Sequence, residues 1–178
     1  KTLYYDKSLQ EALPLHSISF PAFVFESYQM AGEKELYGEV FQGRVSSNML
    51  RQSRYVQDSD GSWWAHSGQV CYLHDGESVD KAKARFYSPV FYVDAFGGKT
   101  AVGYYKDYYL VVEKITDALG NFSEVKNFDF RTMQPKLISD QNCNLTETLF
   151  DELGMPKASA VLGKGSEADC MEGQFEFT

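Results

Sequence analysis

Short runs of alternating polar and apolar residues, separated by turn residues, dominate the second half of the chain. From Phe91 onward, branched and aromatic side chains alternate with polar ones until Asp, Gly or Asn interrupts the run. A period of two places successive side chains on opposite faces of a strand. No helical stretch of sufficient length separates these runs, so the pattern predicts a mainly β fold with an antiparallel meander.

An aspartate opens each unit of this pattern. Aspartates at positions 94, 107, 117, 129, 140 and 151 follow one another at steps of 13, 10, 12, 11 and 11 residues. An Asp side chain caps a tight turn, and a Gly or Asn three or four residues later accepts the positive φ that the turn needs. Each unit therefore predicts one strand and one turn. The turn residues predicted in this way are Asp94, Gly97, Asp117, Gly120, Asn121, Asp129, Asp140, Asn142, Asn144, Asp151 and Gly154.

The first 90 residues show a mixed pattern. Residues 3–6 predict a short strand, and residues 18–25, which contain a proline, predict an edge strand or an extended segment. Apolar residues recur at helical spacing within residues 26–51, where Ser46 or Ser47 can cap a second short helix. We therefore predict short helical insertions in the N-terminal half.

Two further elements precede the repeats. The sequence DSDG at 58–61 predicts a turn, and a strand is predicted at 70–73, which together indicate a hairpin. Ser78 is a suitable N-cap for a helix that ends before Pro89. The face of that helix predicted to be apolar consists of Val79, Ala82 and Phe86.

The change of pattern at Phe91 predicts two regions of one larger domain. Residues 1–90 form a mixed β and helical insert region, and residues 91–178 form a repeat β-sheet segment. Strands that each bury one face must stack sideways and need neighbours at both ends. The first residue is Lys1 rather than Met, so we expect the chain to be a segment of a longer polypeptide.

Composition and charge narrow the classes of function. The hydrophobic share of 43% and the aromatic share of 15% suit pleated, half-buried surfaces. With 25 acidic and 17 basic residues, the formal charge is −8, and no basic stripe is present to bind phosphates. We therefore expect no nucleic-acid partner. No apolar run approaches the roughly 20 residues needed to span a bilayer, so we expect no membrane insertion by this segment.

Residues with catalytic or metal-binding chemistry are few and scattered. The cysteines Cys71, Cys143 and Cys170 are far apart and show no C-x-x-C spacing, so we expect buried free thiols. The histidines at 16, 66 and 74 fit no standard ligand spacing, and the chain contains no G-x-S-x-G motif. The sequence thus predicts a protein that is not an enzyme, with no catalytic residue, cofactor or metal.

Asp58, Asp60, Trp63 and Trp64 are the best candidates for contact with a ligand. A calcium loop needs roughly six to eight oxygen ligands and a closing acidic residue, but Gln69 occupies the twelfth position here. A plain Asp/Gly turn is the simpler interpretation. Aromatic faces beside carboxylates also suit sugars, so the alternative function is a carbohydrate-binding or adhesion β-module of a secreted protein.

A dense group of tyrosines falls where the pattern predicts consecutive strand positions, so two of them should face each way. These rings either form cross-strand ladders that fix register or line a cavity or partner surface. The group consists of Tyr104, Tyr105, Tyr108 and Tyr109.

Four motifs follow one another in the second half: TDALGN at 116–121, FDFR at 128–131, QPKLISDQNCN at 134–144 and LFDELGMPKASAVLGKG at 149–165. This ordered string resembles the Rhs/YD-repeat region of toxin-complex proteins, the B and C components of the insecticidal toxin complexes. Sequence similar to that region also occurs upstream, for example SGQVCY at 67–72 and FYSPVFYVDAFGGKT at 86–100. Cys143 stands where a glycine is usual, which leaves the left-handed backbone at that position open.

The resemblance implies a long β-sheet strip that spirals into a hollow shell and encloses a toxic C-terminal polypeptide. This segment would supply strands of the wall, and the helical insert between residues 26 and 88 would decorate or plug it. The implied partners are other segments of the same shell, other toxin-complex subunits and the enclosed polypeptide. The implied location is secreted or at the cell surface, as part of a larger protein.

Overall fold

The protein is mainly β, as the sequence predicts, in a computed structural model that describes residues 1–164. Within that range the side chains of Lys34, Glu35 and Asp107 are not described. Every strand pairing within the two units described below is antiparallel. None of the helices in residues 1–164 is long and apolar enough to cross a bilayer.

The chain divides into two compact units, Lys1–Thr100 and Ala101–Thr178. The change of pattern at residue 91 lies ten residues before this boundary (101 − 91 = 10). The boundary between the units falls after the change of sequence pattern because the strand that begins at Phe91 pairs with a strand of the first unit. Residues 165–178, including Cys170 and the end of the predicted repeat segment, lie outside the described residues.

The first unit combines five short strands with three short helices in its described residues. The strands are β1 (Thr2–Tyr4), β2 (Val24–Gly32), β3 (Val56–Gln57), β4 (Trp63–Cys71) and β5 (Phe91–Val93). The helices are α1 (Lys34–Phe41), α2 (Ser47–Gln52) and α3 (Val79–Ala84).

The strands of the first unit follow the order β1-β2-β4-β5, and β3 pairs with β4 as well. Tyr28 of β2 lies opposite His66 of β4, and Gln69 of β4 lies opposite Val93 of β5. A register shift interrupts the β2–β4 ladder between Glu26 and Tyr28. The bulge gives β4 one extra residue between His66 and Gln69. As a result, His66 and Gln69 point to the same side of the sheet although they are three residues apart.

The predicted helical character of residues 26–51 is wrong for its first part. Val24–Gly32 is a strand that pairs with β1 on one side and β4 on the other. Its Val, Phe and Tyr residues favour the extended backbone, and pairing on both sides outweighs the helical spacing. Likewise, the strand predicted at 70–73 begins at Trp63, directly after the DSDG turn.

Two helix-end predictions had different outcomes. Ser46 caps α2, because its hydroxyl accepts a hydrogen bond from the Met49 N–H. Ser78 is the N-cap residue of α3 but makes no side-chain cap hydrogen bond. Phe86 does not share the buried face of α3: it follows the helix with φ of 55° and is 72% exposed.

The core of the first unit is an aromatic cluster beneath α3. Tyr5, Leu9, Tyr72 and Ala82 are buried there. The Tyr5 hydroxyl donates to the Val70 carbonyl at 2.8 Å, which ties the N-terminal segment to β4. Burial of a ring with a satisfied hydroxyl stabilises the packing without leaving an unpaired polar group. The half-buried residues packed around the cluster are Phe23, Phe25, Val70, Leu73, Val79 and Tyr87.

The second unit is a meander in which each strand pairs with the next one along the chain. Apart from the strands, its described residues contain one 3₁₀ helix, Lys106–Tyr108. The strands are β6 (Lys99–Tyr104), which the unit boundary cuts, β7 (Val112–Thr116), β8 (Phe122–Asp129), β9 (Gln134–Ser139), β10 (Asn144–Phe150) and β11 (Pro156–Lys164).

The two faces of the second unit differ in burial. In β11, Leu162 is buried while its neighbour Val161 is 78% exposed. Leu162 pairs with Leu145 of β10, which places both on the more buried face. Glu147 of β10 is buried on the same face and lies 3.6 Å from the Lys136 ammonium. The opposite face keeps much of its apolar surface in solvent.

Candidate functional site

Four turns share one set of hydrogen bonds. In each, the Asp N–H donates to the carbonyl four residues later at 2.9 Å, and the N–H three residues later donates back at 3.0–3.1 Å. The Asp Oδ1 accepts from the N–H groups two and four residues later at 2.7–2.9 Å. Each turn therefore satisfies its main polar groups within five residues. These turns begin at Asp94, Asp117, Asp140 and Asp151.

The residue three positions after each of these aspartates has a left-handed backbone. Gly97, Gly120 and Gly154 have φ of 88°, 89° and 83°. Cys143 occupies the same position with φ of 64°, so the turn forms there without glycine. Its side chain is exposed, which corrects the expectation of a buried thiol; Cys71 is half-buried.

Asparagine side chains reinforce two of the turns. The Asn121 amide donates to Asp117 Oδ2 at 3.0 Å, and the Asn144 amide donates to Asp140 Oδ2 at 2.9 Å. These bonds are the main cause that lowers the pKa of the Asp117 and Asp140 carboxyls below their usual value. Asn142 contributes its backbone N–H to Asp140.

The remaining predicted turns depart from this geometry. Asp129 lies opposite Gln134, so four residues form the loop, and its Oδ1 accepts from the Arg131 and Thr132 N–H groups at 2.9 and 3.3 Å. The aspartate at 107 falls in the 3₁₀ helix, and its side chain is not described. The turn at Asp58, which the sequence predicts from DSDG at 58–61, has the same two backbone bonds as the four turns.

Arg131 links two neighbouring turns. Its Nη1 donates to the Glu152 carbonyl at 2.8 Å and its Nη2 to the Asp151 carbonyl at 2.6 Å. Gly154 lies close to Thr132, because a Cβ added at residue 154 would stand 3.2 Å from the Thr132 methyl group. The β8–β9 turn and the β10–β11 turn are therefore locked side by side.

One end of the strands in the second unit carries more exposed apolar surface than the other end. Alternate turns of a meander lie at the same end of the strands, so the β6–β7, β8–β9 and β10–β11 connections lie together at one end of the sheet. A groove of about 380 Å³ lies between the first two of these connections, lined by residues that include Tyr105, Leu110 and Met133. The exposed apolar residues at this end of the sheet are Tyr108, Leu110, Phe130, Met133, Leu153 and Met155.

The tyrosine group does not occupy consecutive strand positions, which corrects the sequence prediction. Tyr104 ends β6, and Tyr108 belongs to the 3₁₀ helix that Tyr109 terminates with φ of 54°. The Tyr105 ring packs against Phe128 at 5.4 Å between centroids and against Phe130 at 5.5 Å. The tyrosines thus anchor a turn instead of forming a cross-strand ladder.

The candidate ligand-contact residues are already engaged in structural contacts. Trp63 is 2% exposed, so its ring offers no free face, against the expectation of ligand contact. The Lys1 ammonium lies 3.9 Å from the centroid of the Trp64 ring and pairs with the Asp58 carboxylate. Asp60 accepts from the Ser62 N–H at 2.9 Å. A sugar could stack on this face of Trp64 only after Lys1 moved away.

Sequence reasoning missed a polar cluster on the β2–β4 ladder. The His66 Nε2 lies 2.6 Å from Glu26 Oε2, and the Tyr28 hydroxyl donates to the other oxygen of the same carboxylate. The His66 and Tyr28 rings pack at 5.1 Å between centroids. The register that pairs Tyr28 with His66 brings these residues together across 38 positions (66 − 28 = 38), so no local signal revealed them. Among residues 1–164, no group of three His, Cys, Asp or Glu side chains is arranged to hold a metal ion.

Comparison with known proteins gives structural matches only. No protein-family model and no curated protein matches the chain. A crystal structure of TcdB2-TccC3-Cdc42 matches with a TM-score of 0.70 and 24% identity, and one of TcdB2-TccC3-TEV with 0.70 and 25%. A structure of the Photorhabdus luminescens Tc holotoxin pore, with a mutation in TccC3, matches with 0.69 and 24%.

These matches extend over most of the chain. Each covers 92% of it but only 8% of the matched chain. The likeness establishes that the chain has the fold of a region of these much longer toxin-complex chains.

Proposed function

We propose that the chain is a wall segment of a toxin-complex or Rhs-type shell that encloses a toxic C-terminal polypeptide. It acts structurally, without catalysis or cofactor, within a protein that is secreted or at the cell surface. Its partners are adjoining segments of the same shell, other toxin-complex subunits and the enclosed polypeptide.

The ladder of aspartate turns is the observation that carries this proposal. The turns at Asp117, Asp140 and Asp151 join consecutive strands of the meander in the second unit. The described residues of this unit contain no α-helix that could cover the sheet. Such a layer leaves apolar side chains exposed, among them Val112, Ile115 and Val161. A surface of this kind in a folded protein is typical of contact with further protein.

The comparisons and the motifs support the same proposal. The matched structures are Tc assemblies, and the chain corresponds to a small share of their length. The motif string TDALGN, FDFR, QPKLISDQNCN and LFDELGM at 116–155 resembles Rhs/YD repeats, and the four motifs coincide with four of the strand-to-strand connections of the meander.

Protease protection in the parent polypeptide tests enclosure. We expect the C-terminal polypeptide to resist digestion in the wild type and to become cleavable when Asp117→Pro disrupts a wall turn. Lys126→Ala, which removes only an exposed ion pair with Glu124, is the matched control and should leave protection intact. If the C-terminal polypeptide were cleaved as readily in the wild type as in the Asp117→Pro protein, enclosure by this segment would be contradicted.

A further inference from the structure

An unassigned pocket of about 480 Å³ lies in the first unit, beside α3. Buried Tyr5 and Leu9 line its interior, and half-buried Phe23 and Tyr87 extend the apolar wall. The Phe23 and Tyr87 rings lie 4.6 Å apart between centroids. Pockets of this size with aromatic walls are typical of sites for small organic ligands.

The charged groups of the pocket are two lysines and one aspartate. Lys7 and Lys83 are exposed, line the pocket from different elements, and form no ion pair with any described residue. The Asp6 carboxylate offsets one of the two positive charges, so the rim keeps a net charge of +1, and its oxygens accept hydrogen bonds from the Ser8 hydroxyl and from the N–H groups of Gln10 and Glu11. An anionic group is therefore the complement of this rim.

Phe20 adds a further aromatic surface to the pocket. Its side chain lines the pocket but is 90% exposed, far more than is usual for a phenylalanine. A bound ring would cover part of this surface and extend the cluster formed by Phe23, Tyr72 and Tyr87. Contact between aromatic rings at such distances is favourable beyond the area that it buries.

From this arrangement we infer that the pocket binds a small aromatic carboxylate, with its ring against Phe20 and Phe23 and its carboxylate between Lys7 and Lys83. The site is separate from the aspartate turns and does not depend on the proposed wall function. All of its lining residues belong to the first unit.

Indole-3-acetate is a suitable probe for titration of the ¹⁵N-labelled chain by NMR. We expect saturable shifts at the amides of Leu9, Phe23 and Val79, with a Kd on the order of 1 mM for a ligand of this size. Indole-3-acetamide, which lacks the charge, should bind at least about threefold more weakly.

Charge variants show whether the lysines are responsible. The double variant Lys7→Met and Lys83→Met should bind acid and amide equally, while Lys81→Met, on α3 but outside the pocket, should behave as the wild type. These lysines are exposed, so their loss should not unfold the chain.

Three results would overturn the inference. The first is no saturable shift up to about 10 mM probe. The second is equal affinity of the wild type for acid and amide. The third is binding of an acetylated Trp-Asp dipeptide amide more than about tenfold tighter than indole-3-acetate, which would identify a polypeptide segment as the occupant.

Discussion

Gly68 lies directly against the backbone of Val93: a Cβ at residue 68 would stand 2.5 Å from the Val93 carbonyl oxygen. Gly68 also has φ of 89° and lies in the bulge of the β2–β4 ladder. Both its backbone conformation and its space exclude a side chain.

Gly68→Ala is therefore expected to lower the free energy of unfolding by more than about 2 kcal/mol. Gly76→Ala is the matched control, since Gly76 has φ of 78° but nothing within 4 Å of a Cβ, and should cost only about 1 kcal/mol. Urea denaturation followed by circular dichroism measures both. Equal losses in the two variants would mean that the contact with Val93 does not matter.

Equivalent positions of two turns should respond with opposite signs. Cys143→Gly removes a side chain from a left-handed backbone with φ of 64° and should raise stability by about 0.5 kcal/mol. Gly120→Ala introduces one at φ of 89° with nothing within 4 Å, and should lower it by about 1 kcal/mol. Gly154→Val should cost more than about 1 kcal/mol, since its Cβ also meets Thr132. Thermal unfolding tests all three, and an unchanged Gly120→Ala protein would contradict the backbone argument.

Loss of the Arg131 guanidinium should loosen the second unit. Arg131→Ala removes two hydrogen bonds to the carbonyls of Asp151 and Glu152 and is expected to lower the free energy of unfolding by about 1–2 kcal/mol. Arg131→Lys should recover only part of this, because an ammonium lacks the planar fork. Hydrogen exchange at residues 151–155 should accelerate in both variants. Lys126→Ala should leave that exchange at the wild-type rate.

The asparagine amides should control the acidity of the turn carboxyls. Because Asn144 lowers the pKa of Asp140 below 3.8, Asn144→Ala should raise that pKa towards 3.8, measured by NMR titration. A pKa lowered by folding contributes stability above pH 3.8 that is lost as the pH falls through the folded-state value. Asn121→Ala should act on Asp117 and not on Asp140. A shift of both carboxyls in either variant would contradict a local cause.

The Glu77–Arg85 pair should make the first unit sensitive to acid. Two hydrogen bonds from the Arg85 guanidinium, at 2.9 and 2.7 Å, lower the pKa of Glu77 from 4.5 to about 2. Its contribution is therefore complete above pH 4.5 and lost as the pH falls through about 2. Glu77→Gln should destabilise the chain by about 1–2 kcal/mol at pH 7. Acid titration should show this deficit vanishing near pH 2, and a deficit that persisted there would point to packing instead.

The aspartate turns were accessible to sequence reasoning because their hydrogen bonds close within five residues. The residue types at Asp117, Gly120 and Asn121 are sufficient to predict the hydrogen bonds and the backbone conformation of their turn. The strand at Val24–Gly32 was not accessible, since its pairing with Trp63–Cys71 depends on residues far along the chain. The same distance hid the contact of Glu26 with His66 and the burial of Trp63.

The pairing of each strand in β7–β11 with its neighbours along the chain has a kinetic consequence. A hairpin whose turn closes by its own hydrogen bonds forms on a microsecond scale without waiting for distant segments. Contacts of short sequence separation also lower the entropy that must be lost before pairing begins. The described part of the second unit can therefore assemble by successive addition of strands, so that each new hairpin finds a finished edge as its template.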